Sequence, residues 1–157
     1  MMTISATVER HLADAGVDYD IISHDHTGNS ISTALAAHVS VNAMAKAVVL
    51  KDAEGYLMAI TSATCKLSDS EIYDAVGRRL RMVDEDELAE IFSDCDPGAV
   101  PPLAAAYGME AVWDDSLAHL KDIYFEGGDH DNVVHMGGDD FRRLLGDARQ
   151  AHFSHHI

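Results

Sequence analysis

All three prolines of the chain, Pro97, Pro101 and Pro102, fall within the stretch Phe92-Ser93-Asp94-Cys95-Asp96-Pro97-Gly98-Ala99-Val100-Pro101-Pro102-Leu103. Each proline fixes φ and removes a backbone donor, so this stretch cannot continue a helix or sit inside a sheet. Gly98 between them permits a tight turn or the close approach of a ligand to the backbone. A stiff loop beside a permissive glycine is one way a scaffold presents a binding edge, and it also serves as an ordinary rigid connection. The chain on either side has to fold around it.

Local signals then set out the elements. Ser5 caps a helix running to Ala15 and stopped by Gly16, with Val8, Leu12 and Ala15 on one face. Val17 to Ile22 alternates as a strand, Thr27-Gly28-Asn29-Ser30 turns, and Ile31 to His38 is a short helix. Met44–Leu50 and Tyr56–Thr61 flank Asp52-Ala53-Glu54-Gly55 as a hairpin. Ser68-Asp69-Ser70-Glu71 and Asp84-Glu85-Asp86-Glu87 open two more helices, ending near Val76 and Phe92, with a short apolar piece at Leu80–Val83 between them. Strands follow at Glu110–Trp113, Asp122–Phe125 and Asn132–Met136, the last two joined by Gly127-Gly128-Asp129-His130-Asp131. Phe141, Leu144, Leu145 and Ala148 line an amphipathic C-terminal helix. Hairpins outnumber βαβ units, which predicts an α+β fold with a mixed sheet of six to seven strands and four or five helices, in a single domain over residues 1–157. The histidine-bearing tail His152-Phe153-Ser154-His155-His156 reads as a frayed terminus without a role.

Composition excludes several functions. No apolar run approaches membrane-spanning length and the N-terminus lacks signal-peptide regions, so the sequence reads as cytoplasmic, with no membrane partner. Cys65 and Cys95 form neither a disulfide framework nor a zinc spacing. The net charge of −16 argues against a broad nucleic-acid footprint but leaves room for one local contact with a nucleic-acid end. No nucleophile elbow, Walker or dinucleotide motif is present.

Four features could carry chemistry. Lys46 sits inside an apolar strand, where it must pair, snorkel to solvent or line a cavity. In a cavity its ammonium could hold a phosphate or polarise a carbonyl; on an edge strand it would point to water. His24 and His26 share a face of an extended segment, but no third ligand follows at a recognised spacing, so no metal is expected. His130, between Asp129 and Asp131 in a Gly-rich turn, reads either as an exposed turn residue or as a general base or ligand contact. Cys95 lies between Asp94 and Asp96, which disfavours a thiolate.

Together these segments resemble a known family. Ala45-Lys46-Ala47-Val48-Val49-Leu50-Lys51 and Cys95-Asp96-Pro97-Gly98-Ala99-Val100-Pro101-Pro102 are similar to the lysine strand and Gly/Pro loop of the YbaK/prolyl-tRNA-synthetase-associated domain family. His24 to Ala37, Phe125 to His130 and Asp140 to Leu145 are similar to its flanking segments. The resemblance implies a compact domain with a central, mixed, barrel-like sheet. It also implies hydrolysis of a wrong, small amino acid from a mischarged tRNA, mostly tRNA(Pro), with no metal or other cofactor. The partners implied are the CCA end of tRNA and prolyl-tRNA synthetase. Lys46 is then the catalytic, electrostatic residue. Gly98, Ala99, Val100 and Pro101 lie beside the scissile ester, and His130 is a contact of the same pocket. The chain departs from the family pattern at Asp94, at Ala104, at Thr61-Ser62-Ala63 and at Glu126, where an alanyl-specific branch carries histidine. These departures bear on which amino acid is removed. A non-catalytic module that docks on a tRNA end or a synthetase, and a histidine-rich metal protein, are the competing readings.

Overall fold

The structure is a computed structural model, and it describes residues 4–24, 30–96 and 98–156. His26, Pro97 and most of the Thr27–Ser30 turn lie outside the described residues. In chain order the elements are α1 (Ala6–Ala15), β1 (Asp20–Ser23), α2 (Ser30–Ala36), β2 (Ala45–Asp52), β3 (Gly55–Ser62), β4 (Cys65–Leu67), α3 (Asp69–Val76), β5 (Arg81–Met82), α4 (Glu85–Ile91), β6 (Glu110–Asp114), β7 (Asp122–Glu126), β8 (Asn132–Gly137), α5 (Gly138–Leu145), β9 (Arg149–Ala151) and β10 (Ser154–His156). Short 3-10 turns occupy Val41–Ala43, Ala104–Tyr107 and Asp115–Leu117.

The helix starts follow from their caps. Ser5 Oγ accepts the Val8 N–H, Ser68 Oγ the Glu71 N–H and an Asp84 carboxylate oxygen the Glu87 N–H. Gly16 and Gly77 close α1 and α3 in the left-handed conformation.

The fold is α+β with a mixed sheet, as expected, but the sheet does not close into a barrel. Five strands run in the order β5-β2-β3-β6-β9. β2 pairs antiparallel with β3 and β5, whereas β6 runs parallel to both β3 and β9. A second, antiparallel sheet has the order β1-β8-β7, and β4 pairs with β10. The two larger sheets meet where Met44, just before β2, bridges in parallel to Tyr124 of β7. The described residues thus hold ten strands rather than six or seven, because several are two- or three-residue pieces that pair with distant partners. The tail is one of them: it is the ordered strand β10 and not a frayed end.

Both faces of the central hairpin are covered. Ala45, Ala47 and Val49 pack on a cluster with Val8, Leu12, Phe92, Phe125 and Phe141, while Val48 and Leu50 face Ile72 and Phe153. This accounts for the unbroken apolar run Leu57-Met58-Ala59-Ile60 in β3, every residue of which is buried. Burying Phe153 completely contributes about 1.5–3 kcal/mol. Its position is set by Asp114, whose buried carboxylate accepts the N–H groups of Phe153 at 2.8 Å, Ser154 at 3.1 Å and Ser116 at 2.9 Å.

Burial alone would raise the pKa of Asp114, but the Phe153 and Ser116 hydrogen bonds outweigh it and hold the carboxyl below its usual range. A depressed folded pKa stabilises the fold above the ordinary carboxylate range and loses that contribution as pH falls. Asp114→Ala should therefore cost roughly 2–4 kcal/mol in urea denaturation at neutral pH, because it leaves buried N–H groups unpaired. The difference from wild type should shrink as the pH is lowered from about 5 towards 2. A difference that stays constant over that range would contradict this role.

Candidate active site

The turn between β7 and β8 is built around one side chain. Asp129 accepts hydrogen bonds from the backbone N–H groups of Asp131 at 3.2 Å and Asn132 at 2.9 Å, and from the Asn132 amide at 2.8 Å. This Asx-type turn folds the segment inward. His130 is consequently buried, at 4% exposure, and is not the exposed turn residue that its Gly-rich context allowed. Its Nδ1 lies 3.2 Å from Glu126 Oε1 at the end of β7. Thr33 of α2 donates its hydroxyl to the same oxygen at 2.5 Å. Glu126 is itself buried at 3% exposure. Burial raises its pKa, opposed by the Thr33 hydrogen bond and by the His130 and His24 side chains.

Lys46 reaches this end of the molecule from β2. Met44 and Tyr124, the bridged pair, belong to one small cluster with Ala34, Ala37, Ala63 and Val133. Lys46 lies two residues beyond Met44, and Glu126 two beyond Tyr124. Strand alternation therefore turns both towards the side on which that cluster packs. The Lys46 ammonium donates to the Cys65 carbonyl at 2.6 Å. Its pKa is lowered by burial, partly offset by Cys65. The lysine is thus not a free surface charge, and among the described residues it makes no ion pair with an acid.

The Pro/Gly loop docks on the His130 turn. The Asp96 N–H donates to the Gly128 carbonyl at 2.7 Å, and the Ala99 N–H folds back to the Asp96 carbonyl at 3.1 Å. Gly98 adopts φ 81°, a conformation that side chains disfavour. Ala99, Pro101, Pro102 and Leu103 are buried, and Val100 packs against the main core. The loop is also tied to α1: Asp94 accepts the Thr7 N–H and the Tyr107 hydroxyl, both at 3.1 Å. Burial opposes ionisation of Asp94, but these hydrogen bonds outweigh it and bring its pKa down to about 2. Cys95 is pushed up to about 11, first by burial and then by the Asp94 charge, which disfavours a thiolate as expected.

A backbone hydrogen bond from Asp96, at the start of the Pro/Gly loop, therefore ties the loop to the His130 turn. Lys46 approaches from the neighbouring strand, and its own hydrogen bond goes to Cys65. Sequence reasoning noted Glu126 only as a departure from a pattern and passed over Thr33. The available signal was an acid directly after the apolar strand and four residues before a histidine, a spacing that a turn can close.

A family model for the aminoacyl-tRNA editing domain matches residues 24–144. The chain belongs to that family, the YbaK/prolyl-tRNA-synthetase-associated domains that the lysine strand and Pro/Gly loop resemble. No curated protein matches the sequence significantly. Solved structures share the fold. One is described as a candidate signal transduction protein from Marinobacter aquaeolei VT8, at 22% identity and TM-score 0.80; the match covers 97% of this chain and 31% of that one. Another is described as a candidate trans-editing enzyme for prolyl-tRNA synthetase, at 20% identity and TM-score 0.79, covering 98% of this chain and 99% of that one.

The buried carboxyl gives the site a pH signature. A folded pKa raised above the unfolded value favours the native state most below the unfolded pKa, and that advantage is lost as pH rises through the folded value. Glu126→Gln keeps an oxygen for Thr33 and removes the titration. Its stability relative to wild type should improve between pH 4.5 and 7.5 in paired urea titrations, whereas a pH-independent difference would place Glu126 in a solvated environment.

Proposed function

We propose that residues 1–157 act as one cytoplasmic editing domain that hydrolyses the ester between a mischarged small amino acid and the terminal ribose of tRNA, with tRNA(Pro) the favoured substrate. The observation that carries this reading is the half-buried Lys46 ammonium, which shares one end of the molecule with the Glu126–His130 pair in a chain of the editing family. An aminoacyl ester is already activated, so positioning and charge stabilisation can supply much of the rate. Water attacks the ester carbonyl, oriented by the neighbouring ribose hydroxyl, and gives up a proton as the new C–O bond forms. Lys46 stabilises the negative charge that develops on the carbonyl oxygen, or holds the terminal nucleotide. The bond to the ribose oxygen then breaks, that oxygen takes up a proton, and the amino acid and uncharged tRNA leave.

On this reading the Gly98–Ala99 backbone lies across the pocket from Lys46, with Val100 and Pro101 beside the ester and His130 as a contact to the amino acid. No cofactor or metal takes part. The net charge of −16 fits a domain that admits only the CCA end while prolyl-tRNA synthetase holds the rest of the tRNA. The same charge favours one competing reading, a module that binds a tRNA end or a synthetase without catalysis.

The test is deacylation of tRNA(Pro) charged in turn with alanine, cysteine, serine and threonine. Wild type should release at least one of these, and Lys46→Ala should slow release by about 10²–10³-fold, the scale for losing one charge-stabilising group. Equal rates for the two proteins would overturn the role of Lys46. Four intact aminoacyl-tRNAs would favour the binding module.

A further inference from the structure

A second constellation lies away from the candidate site, where the C-terminal strand meets α3. Glu71 stands in the first turn of α3, and its N–H is capped by Ser68. The Ser68 N–H in turn donates to the Phe153 carbonyl at 2.7 Å. Phe153 is wholly buried, its own N–H and that of Ser154 are held by Asp114, and β10 pairs with β4. His152 and His155 flank this pinned dipeptide. The backbones that carry Glu71, His152 and His155 are therefore fixed relative to one another by hydrogen bonds and a core side chain.

The side chains converge accordingly. His155 Nε2 hydrogen-bonds Glu71 Oε1, and His152 Nε2 lies 3.7 Å from Glu71 Oε2. The two imidazoles meet edge to face, with centroids 4.9 Å apart at 86°. One potential ligand atom from each of the three residues lies within 4.8 Å of the other two. We propose that Glu71, His152 and His155 form a zinc-binding site. Two imidazole nitrogens and one carboxylate oxygen are a donor set that suits zinc, and three protein ligands leave a fourth tetrahedral position for water. Bonds of about 2.0–2.1 Å require the ligand atoms to draw in to roughly 3.3 Å separations, which half-exposed and exposed side chains reach by small χ rotations. The histidines bind as neutral imidazoles, and the strongly acidic surface attracts the dication. The ion would tie β10 to α3 and close the end of the chain that the Asp114–Phe153 bonds only pin from within. The histidine-rich tail put two of these ligands in view in the sequence, but their third partner comes from a helix far away in the chain.

The test is calorimetric titration of the untagged full chain with zinc chloride near pH 7.5, beside a thermal melt with and without one equivalent of zinc. Wild type should bind one zinc ion with micromolar affinity and melt higher with it. His152→Ala and His155→Ala should each weaken binding at least 10-fold and abolish the zinc-dependent rise, with Glu71→Gln weakening it less. His119→Ala, an exposed histidine elsewhere, should bind as wild type does. Absence of zinc binding by the wild type, or undiminished binding by His152→Ala and His155→Ala, would overturn the proposal.

Discussion

Two backbone carbonyls in the Gly127-Gly128 turn hold together the parts of the molecule that bear on function. The Gly127 carbonyl accepts the Ser5 N–H and the Gly128 carbonyl accepts the Asp96 N–H, each at 2.7 Å. One bond fixes the start of α1 and the other fixes the Pro/Gly loop. The packing leaves no room for side chains: a Cβ on Gly127 would stand 2.4 Å from Ile4 Cγ2, and one on Gly128 would stand 2.8 Å from Ser5 Cβ. Gly127 is therefore required by the approach of Ile4, and Gly128 both by the approach of Ser5 and by its own φ of 111°. Because a buried carbonyl left unpaired is costly, the turn, α1 and the loop stabilise one another as a unit.

Lys46 is tolerated because it lies where the covered faces of β2 change hands. Met44 belongs to the cluster under α2, whereas Val48 and Leu50 belong to the cluster around Phe153. Between these apolar patches the strand has room for one polar residue. The Cys65 carbonyl, at the turn into β4, offsets part of the cost of taking an ammonium from water. β4 is itself held by β10, so the C-terminal strand supports the group that partners Lys46.

The legible parts of the fold were those specified within a few residues. Ser5, Ser68 and Asp84 each announce a helix through a hydrogen bond to a nearby N–H, and Asp52 to Gly55 announces the β2–β3 hairpin. The parallel pairing of β3 with β6, and the short strands β4, β9 and β10, are fixed by partners far along the chain, and three residues carry no period to read. His130 illustrates the same limit at the site. Its neighbours Gly127, Gly128, Asp129 and Asp131 suit an exposed turn, and its burial becomes visible only in the fold. Lys46 and the Pro/Gly loop could be singled out because a lysine in an apolar strand and clustered prolines are conspicuous without any partner in view.

The charge of the chain narrows how a polyanion could approach. With 27 acidic residues against 11 basic ones, the composition argues against a broad face that holds an RNA duplex by phosphate contacts. A single-stranded end is a different case, because its grip can rest on few phosphates and on contacts to base and ribose. On the proposed reading, the local balance around Lys46 then matters more than the total. Glu126 stands two residues beyond Tyr124, whose bridge partner Met44 precedes Lys46 by two, and on that reading an ionised carboxylate there would weaken the attraction that Lys46 offers to a phosphate or a developing oxyanion. Burial shifts Glu126 towards its neutral form, while Thr33 and His130 occupy its oxygen. On the same reading, a neutral acid engaged by Thr33 and His130 leaves the Lys46 charge to the substrate.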